Sequence, residues 1–273
     1  MRLCLIWVLL LLTFKAFAFR CVDSVLYVPA ATTVLKPHQF SDRKDIGRVV
    51  FESPSRVVEL GDYVFLGCEN LQEIELPRSV AKIGEGAFRE CSSLKRISLP
   101  SGISKLPRYV FAWCSALERV ELPKDLKDIG SGCFSYCTSL AAVGFPEGLD
   151  HVGANAFSFC GNLESVSLPA SVRELESYAF SECVSLREAV LPANGNMLGE
   201  LIFSGCHNLL SITCGSKIPP TFDCNSTLFE ENERFMYDSC TLRVPSRSVD
   251  VYRHAPGWRL FEHCEAVSEI ATP

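Results

Sequence analysis

The sequence predicts a parallel β-solenoid, in which coils of about 23 residues stack to form a curved sheet over a continuous core. Three observations predict it: phenylalanine recurs at a constant interval, cysteine follows three residues later, and leucine follows three residues after the cysteine. A fixed period of this length is the sequence signature of a repeat architecture. The phenylalanine column is Phe65, Phe88, Phe111, Phe134, Phe157, Phe180 and Phe203. The cysteine column is Cys68, Cys91, Cys114, Cys137, Cys160, Cys183 and Cys206. The leucine column is Leu71, Leu94, Leu117, Leu140, Leu163, Leu186 and Leu209.

Each coil is expected to carry a short strand just after its leucine. Leu94, Ile97 and Leu99 are predicted to point inward, and Arg96 and Ser98 outward. A single coil cannot bury its own apolar face, so successive coils must stack with their strands paired in parallel. The phenylalanine then closes each layer from the far side. A glycine column is expected to mark a turn that needs backbone freedom: Gly84, Gly130, Gly153 and Gly199.

The period decays at both ends of the chain, which predicts two caps. Residues 19–48 are predicted to be an N-terminal cap with a decayed repeat, residues 49–215 the repeat array, and residues 216–273 a C-terminal cap. The last segment is expected to form a final strand and a short amphipathic helix. Such caps shield the open ends of the core.

The first eighteen residues are predicted to be a secretory signal peptide. Arg2 supplies a basic start, residues 3–14 an apolar core, and Ala16-Phe17-Ala18 a small-x-small cleavage site. The apolar run is shorter than the roughly 20 residues of a membrane-spanning helix, and we expect no integral membrane span in the mature chain. The protein is therefore expected to be exported, whether it is secreted, held at the cell surface or periplasmic.

The charge of the chain argues against a nucleic-acid partner. The formal net charge is −6, and removal of Arg2 and Lys15 with the signal leaves 24 basic against 32 acidic residues, with no basic run. Phosphate binding depends on clustered lysine and arginine.

The cysteines of an exported protein are commonly oxidised, so a ladder of disulfides along the column has to be considered. Adjacent coils place these side chains parallel and about 4.8 Å apart, wider than the ~3.8 Å between the Cβ atoms of a disulfide. We therefore expect the column to consist of buried free thiols. Among the other cysteines, a bridge between Cys214 and Cys240 is an open alternative to free thiols.

No motif in the sequence indicates catalysis or a cofactor. The five histidines fall at unrelated repeat positions, with no nucleophile elbow, phosphate-binding loop or His-Glu-x-x-His motif. The nearest approach to a zinc site is the group His254, His263, Cys240 and Cys264, but neighbouring residues in a strand rarely aim at one ion. We expect a protein that is not an enzyme and has no cofactor and no metal.

The segment Cys91-Ser-Ser-Leu94-Lys-Arg-Ile97-Ser-Leu99-Pro100, followed by Ile103 to Phe111, resembles the bacterial leucine-rich repeats of the BspA-like and treponemal type. These carry L-x-x-I-x-L-P and I-G-x-x-A-F-x-x-C signatures, and the resemblance covers most of the mature chain. It implies a leucine-rich-repeat solenoid and a surface protein that binds host extracellular-matrix or plasma proteins. The alternative is a structural or assembly protein of the bacterial envelope with bacterial partners.

Two groups of outward positions are candidates for binding a protein partner. The residue before each column cysteine runs Gly67, Glu90, Trp113, Tyr136, Phe159, Glu182 and Gly205. Its three consecutive aromatic residues predict an exposed ridge, the kind of patch that marks interaction sites. The alternative is that these rings shield one another and the edge of the core. On the strands, Arg96, Arg119 and Glu121 could dock a partner, or these three and Glu73 could instead satisfy one another across neighbouring strands.

Overall fold

The computed structural model describes residues 18–194, 197–222, 227–230 and 233–267. The predicted signal peptide therefore lies outside the described residues except for Ala18. In the part of the chain that is described, no helix is long and apolar enough to cross a membrane.

The chain winds into a parallel β-solenoid of about ten coils, as the periodicity predicts. The face formed by the longer strands, here the long-strand face, begins with an antiparallel pair, and its later strands pair in parallel. Its strands are β1 (Arg20–Val22), β2 (Val25–Val28), β4 (Arg48–Phe51), β6 (Glu73–Ile74), β8 (Arg96–Ser98), β10 (Arg119–Glu121), β13 (Ser165–Ser167), β15 (Glu188–Leu191), β17 (Ser211–Cys214), β19 (Thr241–Pro245) and β20 (Cys264–Val267).

A second set of two-residue strands, the short-strand face, was not predicted from the sequence. These strands also pair in parallel, one in each coil, in two sheets. They are β3 (Val34–Leu35), β5 (Glu59–Leu60), β7 (Lys82–Ile83), β9 (Lys105–Leu106), β11 (Asp128–Ile129), β12 (His151–Val152), β14 (Glu174–Leu175), β16 (Met197–Leu198) and β18 (Thr221–Phe222). Each coil thus contributes to two sheets, and the phenylalanine follows the second strand.

The register of both faces follows the sequence period. Arg119 pairs with Arg96 on the long-strand face, and Asp128 with His151 on the short-strand face, and the members of each pair are one repeat apart in the sequence. Positions that share a column in the sequence therefore lie side by side in the molecule. Within a strand the predicted alternation also holds, because Leu94, Ile97 and Leu99 are buried while Arg96 and Ser98 are exposed.

One coil departs from the expectation that every leucine is followed by a strand. Residues 141–146 occupy the strand position between β10 and β13 but form no strand, and the long-strand face is interrupted there. Ala142 and Gly144 stand at the two outward positions, and both residue types have low β-propensity. Phe145 replaces the usual leucine and packs edge-on against Phe157, with ring centroids 5.5 Å apart.

The core is built on a ladder of phenylalanine rings. Every ring of the phenylalanine column is fully buried, and consecutive rings from Phe40 to Phe203 stack with centroids 5.1 to 6.1 Å apart. Parallel rings at this separation are offset, the arrangement that aromatic quadrupoles favour. The prediction that phenylalanine closes each layer is confirmed.

The column cysteines are free and buried, as expected, and the structure shows what they do. Each Sγ donates a hydrogen bond to the carbonyl oxygen of the phenylalanine one coil earlier, with Cys91 reaching Phe65 at 3.2 Å and Cys114 reaching Phe88 at 3.1 Å. Burial raises the pKa of the thiol, for example to about 12 in Cys160, so the reactive thiolate is disfavoured. The column is a ladder of thiol hydrogen bonds between coils.

The Cys214–Cys240 bridge is not formed, since both residues are free thiols in the structure. Cys214 Sγ instead accepts a hydrogen bond of 3.1 Å from the hydroxyl of Tyr252, a residue of the C-terminal segment. Cys224 lies outside the described residues.

Glycine is needed in the predicted glycine column for a different reason from the one expected. No member has a positive φ; instead the backbone of the preceding coil passes too close to admit a side chain. A Cβ at Gly130 would lie 2.8 Å from the carbonyl carbon of Pro107, and one at Gly153 would lie 2.6 Å from the amide nitrogen of Ser131.

Both ends of the core are covered. Phe19 packs edge-on against Phe40 at 5.2 Å. At the other end lie two helices, α1 (Phe235–Ser239) and α2 (Val249–His254), with 3₁₀ turns at Ser246–Ser248 and Trp258–Leu260. Trp258 is buried, and its indole nitrogen donates to the carbonyl of Pro220 at 2.8 Å. The expected strand and short helix of the C-terminal segment are present as β19 and α2, and a further strand, β20, follows them and pairs with β19.

Candidate functional site

The three aromatic residues form a stacked row, here the aromatic ridge (Trp113, Tyr136 and Phe159). The rings of Trp113 and Tyr136 lie 3.8 Å apart between centroids, and those of Tyr136 and Phe159 lie 4.3 Å apart, each pair within 5° of parallel. Trp113 is 46% exposed and Phe159 38%, whereas Tyr136 between them is half-buried. The predicted ridge therefore exists as a surface feature.

The ridge stands in the turn that joins the short-strand face to the next long strand. Trp113 and Tyr136 donate their backbone N–H groups to the carbonyl oxygens of Ser135 and Ser158 in the following coil, both at 2.8 Å. These inter-coil hydrogen bonds repeat at each coil, so the side chains leave the backbone in the same direction. Strict repetition of the backbone is what makes the three rings parallel.

All ridge residues have a left-handed backbone, with φ of 66° at Trp113 and 61° at both Tyr136 and Phe159. Gly67 and Gly205, in the same column, have φ of 66° and 78°. Glycine adopts this conformation freely, whereas other L-residues do so at a cost of about 1–2 kcal/mol. Glycine recurring at one column position was the signal that could have revealed the conformation.

The orientation of the rings decides which atoms a partner can touch. Because the rings are parallel and stacked, they cover one another's faces, and the ridge presents ring edges, with the outer faces only at its two ends. Both alternatives from the sequence are thus partly realised: the rings do shield one another, and their edges still face solvent. The surface offered consists mainly of ring edges and has no stacking platform along its length.

Charged side chains bound the ridge at both ends. Before Trp113 comes exposed Glu90, which forms an ion pair of 3.1 Å with Arg89. The Arg89 guanidinium also lies 5.8 Å from the ring centroid of Tyr109. After Phe159 comes Glu182, whose side chain covers Gly205 so closely that a Cβ there would lie 2.5 Å from the carboxyl carbon.

The long-strand face holds the other predicted site residues, and here the expectation of mutual pairing is wrong. Arg96 and Arg119 stand directly opposite each other in the parallel register, and Glu121 stands opposite Ser98. In the described part of the chain none of these three charged side chains has an ion-pair partner. The register partners explain this, because Arg119 is set opposite another arginine and Glu121 opposite an uncharged serine. Arg48, in contrast, is set opposite Glu73 and does form an ion pair of 3.3 Å with it.

A cluster missed by the sequence analysis lies on the short-strand face. His151 Nδ1 contacts Asp128 Oδ1 at 3.1 Å and its Nε2 contacts Glu176 Oε1 at 3.0 Å. Asp128 in turn accepts a hydrogen bond of 2.8 Å from Lys105. Burial acts to lower the pKa of His151, but hydrogen bonds to Glu176 and Asp128 outweigh it and raise that pKa. Lys105, Asp128 and His151 are each one repeat apart in the sequence, and this spacing could have revealed the cluster. It does so only if the second strand of each coil is predicted as well, because that strand places the three residues side by side.

The four residues that the sequence offered as the nearest approach to a zinc site do not bring their donor atoms together. Among the described residues, the donor atoms that gather within 4.8 Å of one another belong to His151, Glu174 and Glu176, and not to His254, His263, Cys240 and Cys264.

Comparison with known proteins agrees with the repeat and the solenoid fold. A family model described as the BspA type leucine-rich repeat region matches residues 13–120 and 104–232, in six copies. The chain belongs to the BspA-type leucine-rich repeat family. This family and its solenoid fold are typically non-catalytic and mediate protein–protein interactions. No curated protein matches the sequence.

Solved structures of bacterial leucine-rich repeat proteins are similar to the chain. The leucine-rich repeat protein TpLRR of T. pallidum is 23% identical over 93% of this chain and 98% of its own, with a TM-score of 0.50. A leucine-rich cell surface protein of Faecalibacterium prausnitzii is 20% identical over 89% of this chain and 79% of its own, with a TM-score of 0.42. The pneumococcal vaccine antigen PcpA is 20% identical over 90% and 79%, with a TM-score of 0.41. The first of these likenesses shows the fold.

Proposed function

We propose that the protein is an exported, non-catalytic adhesin that acts at the cell surface or after secretion and binds host matrix or plasma proteins through the aromatic ridge. The observation that carries the proposal is the stack of three rings with exposed edges on a surface position that holds glycine or glutamate in the other coils. Membership of a family of bacterial surface proteins supports the same function.

The chemistry of the ridge favours a protein partner over a glycan. Planar ligands and sugar rings stack on the faces of aromatic side chains, and here the faces between neighbouring rings are covered, which leaves only the outer faces of Trp113 and Phe159. Ring edges instead suit the apolar side chains at the centre of a protein interface, where tryptophan and tyrosine are enriched among the residues that dominate affinity.

The unpaired charges of the long-strand face fit a second contact. Arg96 and Arg119 belong to the coils that carry Glu90 and Trp113 in the preceding turn, and neither is neutralised within the described chain. Exposed charges of this kind act mainly on the association rate and its salt dependence. We expect acidic groups of the partner to meet these two residues, with Glu121 restricting the direction of approach.

The test compares three forms of the protein on immobilised collagen, laminin, fibronectin and fibrinogen. The ridge variant carries Trp113→Ser, Tyr136→Ser and Phe159→Ser. A matched control carries Leu210→Ser, Ile218→Ser and Val251→Ser, which are exposed apolar residues elsewhere. We expect the unmodified protein and the control to bind one of these proteins equally, and the ridge variant to lose at least about 100-fold in affinity.

Equal affinity of the ridge variant and the control for a bound matrix protein would refute the role of the ridge. Protease treatment of intact cells tests the location, because an adhesin must be cleaved from outside. Protection on intact cells, together with capture by envelope extract alone, would favour a structural protein of the envelope.

A further inference from the structure

We propose that His151, Glu174 and Glu176 bind one Zn²⁺ ion on the short-strand face, and that the ion links two adjacent coils. Each of the three residues offers one donor atom, and these atoms lie within 4.8 Å of one another. The site is separate from the aromatic ridge and does not depend on what the ridge binds.

The repeat places the three ligands together. His151 in β12 is the register partner of Glu174 in β14, so their side chains leave neighbouring strands at the same level. Leu175 is buried, and Glu176, two positions beyond Glu174, returns to the outward face. A Glu-x-Glu segment on one strand thus faces a histidine on the next.

The histidine is oriented as in many metal sites. Its Nδ1 lies 3.1 Å from Asp128, which is itself held by Lys105. Histidines that bind metals commonly donate their second ring N–H to a carboxylate, which fixes the tautomer and leaves the other nitrogen free to coordinate. Asp128 is therefore a positioning residue in the proposed site.

The contact of the other ring nitrogen, Nε2, supports a cation between His151 and Glu176. In the tautomer with its proton on Nδ1, neutral His151 would direct the lone pair of Nε2 toward Glu176 Oε1, which lies 3.0 Å away. Two acceptors at this distance repel, so a proton or a metal ion must lie between them. Glu176 cannot easily turn away, because its other oxygen accepts the backbone N–H of Ala154 at 2.6 Å.

The donor set selects the ion. One imidazole nitrogen and two carboxylates suit Zn²⁺, whose bonds of about 2.0–2.2 Å at tetrahedral angles place two ligand atoms about 3.3 Å apart. Calcium and magnesium prefer sites made of oxygen ligands, whereas an imidazole nitrogen suits Zn²⁺. Glu174 is exposed and can rotate onto the ion, and water completes the coordination.

The test is a calorimetric titration of chelator-treated protein with ZnCl₂, compared with His151→Gln, Glu176→Gln and Asp128→Asn. A matched control is His254→Gln, an exposed histidine of α2. We expect one equivalent of Zn²⁺ to bind the unmodified protein and the control. Binding should be lost in His151→Gln and Glu176→Gln and weakened about 10–100-fold in Asp128→Asn.

Cobalt substitution separates this site from the cysteines. Co²⁺ bound by nitrogen and oxygen should show visible d–d bands without a thiolate-to-cobalt charge-transfer band, and the d–d bands should vanish in His151→Gln. A charge-transfer band, or Zn²⁺ binding that His151→Gln leaves unchanged, would overturn the proposal. An absence of Zn²⁺ binding by the unmodified protein would overturn it as well.

Discussion

The phenylalanine ladder makes a quantitative prediction about how stability is distributed along the solenoid. Phe134 is fully buried between Phe111 and Phe157, at centroid distances of 5.3 and 5.1 Å. Phe134→Leu keeps an apolar side chain but removes two ring stacks, each worth about 0.5–1.5 kcal/mol. We expect the free energy of unfolding to fall by about 1–3 kcal/mol, and by about 3–5 kcal/mol for Phe134→Ala, which also leaves a cavity.

The decisive measurement is a double-mutant cycle in equilibrium urea unfolding, followed by circular dichroism. Adjacent rings should couple, so Phe111→Leu with Phe134→Leu should show an interaction energy of about 0.5–1.5 kcal/mol. Phe111→Leu with Phe157→Leu skips one coil, and its interaction energy should be near zero because each coil contacts only its neighbours. Equal coupling in the two cycles would refute a ladder built from nearest-neighbour stacks.

Three further predictions concern the turns, the thiols and the short-strand face. Gly132→Ala should lower the free energy of unfolding by at least about 1–2 kcal/mol, because φ is 62° and a Cβ would meet the ring of Tyr109; Gly102→Ala, without either constraint, is the control for the same urea measurement. Iodoacetamide should modify Cys21 and Cys264 in the folded protein but modify the buried column cysteines only after unfolding, as mass spectrometry can show, and rapid modification of the column would contradict the thiol ladder. In metal-free protein, the stabilisation from protonated His151 should be present below its ordinary pKa of 6.5 and be lost as pH rises through its raised folded pKa. Asp128, whose pKa is lowered by Lys105 and His151 against the effect of burial, should lose its contribution as pH falls below its ordinary 3.8. The stability difference from His151→Gln should therefore be greatest between these limits, and a difference independent of pH would contradict the assignment.

The sequence was sufficient to predict features that depend only on the period. Because the pairing register of the coils equals the sequence period, the sequence alone places Trp113, Tyr136 and Phe159 side by side. The exposure of Arg96 and Ser98 and the burial of Ile97 between them followed from the alternating side-chain directions of a β-strand alone. These predictions need no knowledge of how the rest of the coil turns.

Features that depend on the path of the turn could not be obtained in this way. A two-residue strand such as β12 is too short to show alternation, so the column containing His151 was not recognised as one face. The left-handed φ at Trp113 leaves no mark on the residue itself, and the close backbone approach at Gly130 looks in the sequence like a flexible turn. The loss of the strand at residues 141–146 arises from Ala142 and Gly144 acting together in one coil.

The backbone at the ridge provides a last test of whether the rings serve folding or binding. Each aromatic residue occupies a left-handed position at a cost of about 1–2 kcal/mol relative to glycine, and the two ring stacks contribute about 1–3 kcal/mol in total. For three residues the backbone cost is about 3–6 kcal/mol in total, which equals or exceeds the contribution of the stacks. Replacing all three with glycine, the residue found at Gly67 and Gly205, should therefore leave the free energy of unfolding unchanged or raise it by up to about 5 kcal/mol. Urea unfolding of this variant measures the change directly, and a loss above about 4 kcal/mol would show that the rings stabilise the fold. A near-neutral or stabilising result would leave no folding advantage to explain three aromatic side chains at strained, exposed positions, and would favour recognition of a partner as the reason for them.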